Sequence, residues 1–278
     1  MDNVIREDTV LTVQGTEIPR LGYGTWQVEG KDASDGVRDA LEIGYRHIDT
    51  ARAYGNEREV GEGIAASGVD REDIFLTTKV WLDEFEPDEL KAAAEDSLRN
   101  LRTDYVDLLL LHWPNADVPM ERSLTAMREL QEAGRIRHAG VSNFPAGMLA
   151  RALQITPLLA DQVEYHPFLS QDRLLALVAE HDLTLTAYSP LAHGKVVGHP
   201  ELTAIGEQHR KSAGQVALRW LLDQPYVTVL PKASSHERRV ENLQVFDFHL
   251  TDADRERIAA LPKDVRTGNP GWAPDWDD

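Results

Sequence analysis

Four ionisable side chains of different kinds follow short apolar runs in the first half of the chain. Asp49 and Tyr54 lie in GYRHIDTARAYGNE, Lys79 ends FLTTK, and His112 ends LLLLH. A phenol is a weak acid with an ordinary pKa of about 10, and a neighbouring ammonium group favours the phenolate and lowers that pKa. An aspartate beside the ammonium keeps it protonated in a dry site. These residue types therefore suit proton transfer to or from an oxygen atom.

Each of these residues has a structural explanation when it is taken alone. Asp49 could cap a helix, Tyr54 could pack as a loop aromatic, and His112 could be a hydrogen-bonded core histidine. Lys79 is harder to explain, because a lysine after an apolar run loses hydration and needs a counter-charge. The occurrence of all four at the ends of successive strands favours a functional site.

Short apolar segments alternate with amphipathic helical patterns along the chain, which predicts a (β/α)₈ barrel. The predicted strands are LGYGTW, YRHIDT, DIFLTTKV, YVDLLLLHW, RHAGVSN, LADQVEYH, LTLTAYSP and YVTVLPK. Such continuous apolar runs are typical of buried parallel strands. An open doubly wound sheet is the alternative, but no GxGxxG follows the first strand.

Three further segments complete the predicted architecture. TVLTV and TEIP flank Gln14-Gly15, which predicts a short N-terminal hairpin. One long helix is expected over residues 201–224. TDADRERIAAL has a Thr N-cap and an acidic first turn, and it predicts an extra helix before the C-terminal tail. No linker or repeat interrupts the chain, so residues 1–278 are expected to form a single domain.

Composition excludes several classes of function. The formal net charge of −18 argues against binding a nucleic-acid backbone. No stretch approaches the roughly 18 apolar residues of a membrane span, and the opening MDNVIREDTV lacks a signal-peptide pattern. The chain has no cysteine, which fits a reducing compartment. A cytoplasmic, acidic, monomeric protein is expected, from either a high-salt or an ordinary GC-rich source.

These strand ends and loops resemble the aldo-keto reductases over nearly the whole chain. The matching motifs are GYRHIDTARAYGNE, TTKVW, LLLLHWP, GVSNF, DQVEYHP, YSPL and PKASSHERRVENLQVFDF. The resemblance is greatest to the short prokaryotic branch similar to 2,5-diketo-gluconate reductase. It implies reduction of aldehydes or ketones to alcohols, with Asp49, Tyr54, Lys79 and His112 as the catalytic tetrad. Tyr54 is then the general acid, and His112 donates to the carbonyl oxygen.

The resemblance also implies a nicotinamide cofactor. Ser142, Asn143 and Gln162 are expected to bind the carboxamide, and Tyr188 to stack on the ring. Lys232 and Arg238 match residues that bind the 2′-phosphate of NADPH. The other residues expected at the cofactor are Thr25, Ser189, Leu191, Ser234, Glu241 and Asn242.

One position departs from the family pattern at the expected phosphate site. Ala233 stands where the family usually has a serine after the lysine, which removes one hydrogen bond to phosphate. Ser234, Ser235 and Arg239 are neighbours that can compensate. NADPH is therefore the expected donor, with NADH as a weaker one.

The resemblance places Trp26 and Trp81 at the substrate pocket, and Trp113, which also follows a strand end, is expected there too. Trp272 and Trp276 of the tail could close its mouth. An apolar aromatic pocket with a polar floor suits small carbonyl compounds without identifying one of them.

Two other classes compete with a carbonyl reductase. A nicotinamide-binding regulatory subunit with little turnover is the alternative, but the complete tetrad argues against it. A metal-dependent barrel hydrolase would need clustered ligands such as His-x-His on the first strand. LGYGTW offers none, so no metal site is expected.

Overall fold

A computed structural model describes residues 9–276, and its eight parallel strands confirm the predicted (β/α)₈ barrel. A hairpin of β1 (Val10–Val13) and β2 (Thr16–Pro19) precedes them. The barrel strands are β3 (Tyr23–Gly24), β4 (His47–Asp49), β5 (Phe75–Val80), β6 (Val106–Leu111), β7 (Ile136–Ser142), β8 (Ala160–Glu164), β9 (Thr184–Tyr188) and β10 (Val227–Leu230). The prediction that the opening segment is no signal peptide concerns mostly residues 1–8, which lie outside the described residues.

Helices follow the strands and pack around the barrel. They are α1 (Gly30–Glu42), α2 (Glu57–Ser67), α3 (Pro87–Leu101), α4 (Met120–Glu132), α5 (Ala146–Leu153), α6 (Asp172–His181), α7 (Pro200–His209), α8 (Ala213–Leu222), α9 (His236–Leu243) and α10 (Asp252–Ala259). Short 3₁₀ turns lie at Arg52–Tyr54, Arg71–Asp73, Leu82–Glu84 and Ala192–Gly194. Within residues 9–276, no helix is long and apolar enough to cross a membrane.

The barrel closes between its first and last strands. Leu21 bridges Val229 in parallel, and the Gly22 amide donates to the Val229 carbonyl at 2.8 Å. Gly22 is required at this seam, since a Cβ there would lie 2.5 Å from the Leu230 side chain. All the strands therefore point their carboxyl ends at one mouth.

The N-terminal hairpin covers the opposite end of the barrel. Val13 and Ile18 pack into a small cluster with residues near the starts of barrel strands, including Phe75 and Leu108. Gln14 and Gly15 adopt left-handed φ values of 49° and 75° at the turn, as a two-residue hairpin requires. Side chains of the hairpin thus fill this end, and a cleft lies at the open mouth.

One element was predicted wrongly. The helix expected over 201–224 is two helices, α7 and α8, separated at Arg210. Arg210 takes a left-handed φ of 57°, and Ser212 then starts α8 by accepting from the Gln215 amide in a capping box. The turn between them is tight, because the Lys211 carbonyl oxygen lies 2.3 Å from where a Cβ on Gly206 would be.

Candidate active site

The mouth of the barrel opens into a cleft of about 680 Å³. Fourteen of the residues predicted from sequence line it: Trp26, Asp49, Tyr54, Trp81, His112, Trp113, Ser142, Asn143, Gln162, Tyr188, Ser189, Leu191, Lys232 and Arg238. A second depression of about 810 Å³ lies beside Arg52–Tyr54, but Trp81 is the one predicted site residue in its lining. The predicted catalytic and cofactor-binding side chains at the strand ends therefore meet at the first cleft.

Lys79 links two of the other predicted catalytic residues at the base of this cleft. It is the penultimate residue of β5 and is fully buried. Its Nζ donates to Asp49 Oδ1 at 2.6 Å, to the Thr50 carbonyl at 2.9 Å and to the Tyr54 hydroxyl at 3.2 Å. The three donor hydrogens of the ammonium are thus all used. Asp49 touches Tyr54 only through this lysine.

Burial and the neighbouring side chains act on the pKa of Lys79 in opposite directions. Burial alone lowers the pKa of Lys79, but the charges and hydrogen bonds of Asp49 and Tyr54 outweigh it, and the pKa is raised. The ammonium is therefore retained at neutral pH.

Tyr54 differs from the expectation that its pKa is lowered. Burial raises the pKa of Tyr54 by more than the Lys79 charge lowers it, so the net shift is upward. The phenol is protonated at neutral pH. It can still give up its proton when a stronger base, such as an alkoxide, forms beside it.

His112 stands beside Tyr54 and is neutral. Its ring lies 5.7 Å from the Tyr54 ring and 5.0 Å from the Trp81 ring, measured between centroids. Burial, together with the nearby Lys79 charge, holds the pKa of His112 well below its ordinary value. Its Nδ1 is buried without a hydrogen-bond partner among the described residues. A neutral imidazole has one N–H to donate, so His112 can hydrogen-bond an oxygen in the cleft.

A hydrogen-bonded set of polar groups forms the wall of the cleft across from the tetrad. Ser142 Oγ donates to the Gln162 carbonyl at 2.7 Å, and Tyr188 donates to Asn143 Oδ1 at 2.7 Å. Asn143 has a left-handed φ of 62° and its Nδ2 donates to the His112 carbonyl at 3.0 Å. The Tyr188 ring is thus fixed in orientation at the edge of the cleft.

Gln162 connects this wall to the tetrad. Its Nε2 donates to Asp49 Oδ2 at 2.7 Å, so each oxygen of that carboxylate has a donor. Its Oε1 has no hydrogen bond to the described residues and remains able to accept from a ligand amide. A nicotinamide carboxamide carries both an amide donor and a carbonyl acceptor, and this lining offers matching groups.

Two exposed cations stand at the far rim of the cleft. Lys232 follows β10, and Arg238 lies in the first turn of α9. Lys232 Nζ donates to the Gln27 carbonyl at 3.2 Å, which holds it near the rim. Ala233 is buried, so its position offers no group to the cleft, while Ser234 beside it is exposed.

Arg239 and Ser235, which were suggested to compensate for Ala233, have other partners in this structure. Arg239 is buried, pairs with Asp39 at 2.5 Å and donates to the Ala233 carbonyl at 3.1 Å. Ser235 caps α9 by accepting from the Arg238 amide. Both side chains are committed to holding the helix, and Ser234 is left as the available hydroxyl.

Five other predicted residues lie outside the lining of the cleft. Lys79 lies beneath it, and Thr25 is buried and donates to the Asp49 carbonyl from both its amide and its hydroxyl at 3.0 Å. Asn242 is largely buried. Ser234 and Glu241 lie near the rim cations along the chain, on the loop and on α9.

Sequence reasoning missed residues that shape the cleft without reacting. Asn56 ties two loops together, since its Nδ2 donates to the carbonyls of Thr25 and Val28 and its Oδ1 accepts from Thr50. The signal was present, because Asn56 belongs to the quoted YGNE motif. Gly268 of the tail also lines the cleft, and only its glycine-rich context marks it in the sequence.

Tryptophans form the outer part of the cleft. Trp272 of the tail packs edge-on against Trp81 and Trp113, with ring centroids 5.9 and 5.0 Å apart, and Trp276 packs on Trp113 at 6.0 Å. Trp26 is 42% exposed on the other side of the mouth. Within residues 9–276, no group of three His, Asp or Glu side chains is arranged to hold a metal ion.

Comparisons with known proteins agree on one family. The Aldo/keto reductase family model matches residues 20–263. Glyoxal reductase of Bacillus subtilis (strain 168) is 43% identical over 94% of this chain and 95% of the relative. Methylglyoxal reductase DkgB of Escherichia coli O157:H7 is 36% identical over 94% of this chain and 99% of the relative.

A solved structure agrees over almost the full length. It is a crystal structure whose protein carries the provisional name 2,5-diketo-D-gluconic acid reductase B. The two chains are 43% identical with a TM-score of 0.95, over 99% of this chain and 100% of that one. The resemblance found in the sequence motifs is thereby confirmed.

Proposed function

The chain belongs to the aldo/keto reductase family, and we propose that it is an NADPH-dependent reductase of small aldehydes and ketones with Tyr54 as general acid. The observation that carries the proposal is the contact of one buried ammonium, Lys79, with both Asp49 and the Tyr54 hydroxyl at the floor of an open cleft. Asp49 neutralises the charge of Lys79, and the bond to the Tyr54 hydroxyl joins this buried ion pair to the cleft.

Proton delivery to the substrate is the task of Tyr54. The phenol is protonated at rest because burial raises its pKa. As the carbonyl oxygen gains negative charge, the Tyr54 hydroxyl transfers its proton to that oxygen. Lys79 stabilises the phenolate left behind at 3.2 Å. Asp49 holds the ammonium in this position.

His112 orients the carbonyl group. Its neutral ring shares the cleft floor with Tyr54, so an oxygen that contacts the Tyr54 hydroxyl also comes within reach of an imidazole N–H. That hydrogen bond strengthens as negative charge appears on the oxygen. A neutral donor serves here without adding a second positive charge beside Lys79.

The cofactor is the source of reducing equivalents. Ser142, Asn143 and Gln162 would hold the nicotinamide amide, and the fixed ring of Tyr188 would support the nicotinamide face. NADPH supplies a hydride to the carbonyl carbon when it is bound. The hydrogen bonds among these side chains fix their own positions, so they would hold a bound nicotinamide without rearranging.

Preference for NADPH over NADH rests on Lys232 and Arg238. Both are exposed cations at the rim in a protein of net charge −18, and cations paired across a loop and a helix start suit a phosphate monoester. Arg238→Ala is expected to raise the Kd of NADPH about tenfold and leave that of NADH nearly unchanged. Arg128→Ala, at an exposed arginine on α4, is the matched control. Equal weakening of both cofactors by Arg238→Ala would remove the phosphate clamp.

Small α-oxo-aldehydes are the proposed substrate class. Trp81, Trp113 and Trp272 leave an apolar space above the polar floor, and relatives that cover nearly the whole chain are named glyoxal reductase and methylglyoxal reductase. A neutral dicarbonyl offers one carbonyl to Tyr54, and its small remainder stays at the floor beside Trp81, without reaching Trp272. Small size also suits the limited volume of the cleft.

A substrate panel tests the proposal. Purified protein is assayed with NADPH and with NADH against glyoxal, methylglyoxal, a substituted benzaldehyde, a ketose and a keto acid. We expect the highest kcat/KM for an α-oxo-aldehyde with NADPH. Cofactor binding without turnover of any carbonyl would instead support the nicotinamide-binding regulatory subunit.

We also propose that the enzyme is a cytoplasmic monomer formed by one barrel domain. The absence of cysteine fits a reducing compartment, and the acidic surface disfavours self-association by like-charge repulsion. Size-exclusion chromatography with light scattering tests the monomer directly, and a mass near 62 kDa, twice the 31.1 kDa of the chain, would show a dimer.

A further inference from the structure

A buried carboxylate outside the tetrad has its hydrogen bonds directed at the C-terminal tail. Glu164 is the last residue of β8 and is fully buried. Its Oε1 accepts from the Thr267 hydroxyl at 2.6 Å and from the Thr267 amide at 2.7 Å, and its Oε2 accepts from the Gly268 amide at 2.7 Å. His166 Nε2 lies 2.9 Å from Oε1. Three of the four contacts thus come from a segment about a hundred residues away along the chain.

The carboxylate is ionised in this position. Burial alone raises the pKa of Glu164. The hydrogen bonds from His166, Thr267 and Gly268 outweigh that effect and lower the pKa to about 2. A buried anion with several donors holds them firmly, because a donor that leaves exposes an uncompensated charge. Residues 267–276 form no helix or strand, so this anchor supplies order that regular backbone bonding does not.

The anchored segment reaches both parts of the cleft. Gly268 lines it, and a Cβ added there would lie 3.2 Å from the Tyr188 hydroxyl and 3.3 Å from Glu164 Oε2. Four residues later, Trp272 packs on Trp81 and Trp113. Trp272 is itself 52% exposed, so its contacts with the two indoles and the upstream anchor are what fix it.

We propose that Glu164 is a positioning residue for substrate selectivity: it latches Thr267 and Gly268 so that Trp272 forms the outer wall of the substrate pocket. The inference rests on the proposed carbonyl reduction for its kinetic readout. Glu164 acts through the tail and touches neither Tyr54 nor His112. Its loss therefore affects large carbonyl compounds that reach the wall and spares small ones that contact only the floor.

Glu164→Gln is the variant that tests the latch. An amide of the same shape keeps one acceptor but turns an N–H₂ group toward donors that require an acceptor. We expect the ratio of kcat/KM for a substituted benzaldehyde to that for methylglyoxal to fall about tenfold, through KM rather than kcat. The Kd of NADPH should stay unchanged.

Asp254→Asn is the matched control. Asp254 is also buried, and it accepts from the amide and hydroxyl of a threonine, Thr251, and from His209. It therefore has nearly the same set of donors but caps α10 far from the tail. Its substitution should lower stability and leave the substrate ratio unchanged. Equal changes of the ratio in both variants would reduce Glu164 to a structural role and overturn the proposal.

A double-mutant cycle with Trp272→Ala shows whether the effect passes through the wall. Trp272→Ala alone should lower the substrate ratio as Glu164→Gln does. Adding Glu164→Gln to it should change the ratio by no more than about twofold. A full additional tenfold loss in the Trp272→Ala background would contradict the latch.

A readout without turnover separates this inference from the proposed function. If the wild-type protein reduced no carbonyl compound, the proposed function would fail, but the latch would still predict a red-shifted tryptophan emission and faster proteolysis after residue 266 in Glu164→Gln. Unchanged emission and proteolysis would overturn the latch whatever the activity. If Glu164→Gln does not fold, Thr267→Val removes one donor and is expected to give the same changes at smaller size.

Discussion

Each end of the barrel buries an aspartate in an ion pair, Asp107 at the N-terminal end and Asp49 at the C-terminal end, but their surroundings differ. At the N-terminal end, Asp107 accepts from Arg71 at 2.8 Å and from the Leu76 amide at 3.0 Å, and it forms an ion pair with Arg137 at 3.2 Å. The two guanidinium groups also stack on Tyr105, each 4.2 Å from the ring centroid. No hydrogen bond of Asp107 reaches a group that lines the cleft.

At the C-terminal end, Asp49 neutralises Lys79, and a further hydrogen bond joins Lys79 to the Tyr54 hydroxyl, which lines the cleft. Under the proposed mechanism, this difference separates a buried ion pair that supports the fold from one that takes part in chemistry. The informative feature is a third partner at an open cleft rather than the strength of the pair. Four predictions, from the largest expected effect to the smallest, test this distinction.

Removal of the cation should lower turnover at the C-terminal end and leave it nearly unchanged at the N-terminal end. Lys79→Met is expected to lower kcat for methylglyoxal by about 10³-fold, because Tyr54 loses the charge that stabilises its phenolate. Arg71→Met, the same change at the other end, should leave kcat within about twofold once the protein is folded. Steady-state kinetics with NADPH, with folding checked by circular dichroism, measures both. Comparable losses of kcat in the two variants would contradict a catalytic role specific to Lys79.

Removal of the acid at the N-terminal end should cost stability alone. Asp107→Asn leaves Arg71 and Arg137 without their anion, and both guanidinium groups are partly exposed, so we expect a loss of about 2–3 kcal/mol. Urea unfolding at pH 7 gives this value, and kcat at 25 °C should be unchanged. A fall in kcat without a fall in stability would assign a catalytic role to the wrong end of the barrel.

Unlike Asp107 and Asp49, Asp161 is a buried acid with no ion pair among the described residues. Neither carboxyl oxygen has a hydrogen bond of normal geometry among the described residues. Burial raises the pKa of Asp161 well above its ordinary value, although the Phe144 amide lowers it. Above the unfolded pKa of about 4, the folded state binds the additional proton, so stability falls as pH rises.

Asp161→Asn removes this pH-dependent cost. The variant is expected to be more stable than the wild type by about 1 kcal/mol at pH 7, with the difference vanishing near pH 4. Urea unfolding at both values of pH tests the sign. A destabilised variant at pH 7 would mean that the folded protein uses the ionised carboxylate.

The smallest expected effect is the absence of a step in the pH profile. An ordinary histidine would titrate near pH 6.5, but the pKa of His112 lies well below that value because of burial and Lys79. The kcat/KM for reduction should therefore be flat between about pH 6 and 8. A step near pH 6.5 that disappears in His112→Gln would contradict a neutral His112.

Most of the fold, and the grouping of Asp49, Tyr54, Lys79 and His112 at one end of the barrel, could be predicted from sequence, because strand ends and their residue types are local features. The break at Arg210 was missed although Ser212 and Gln215 carry the spacing of a capping box. The apolar pattern continues across the break, and a periodicity argument follows that pattern rather than the cap.

The features that were missed depend on distant parts of the chain. Glu164 and Thr267 are 103 residues apart, and no local pattern announces their contact. Arg238 is exposed at the rim and its neighbour Arg239 is buried, because successive helical residues point about 100° apart. The upward pKa shift of Tyr54 depends on how deeply the fold buries it, which the residue types do not encode.

The most direct test of the central claim compares cofactor binding and single-turnover reduction in Tyr54→Phe. This variant keeps the ring and removes only the hydroxyl that Lys79 contacts at 3.2 Å. We expect NADPH to quench tryptophan fluorescence with an unchanged Kd, while the rate of methylglyoxal reduction falls by about 10²–10⁴-fold. Reduction at a near-normal rate in this variant would show that another group supplies the proton.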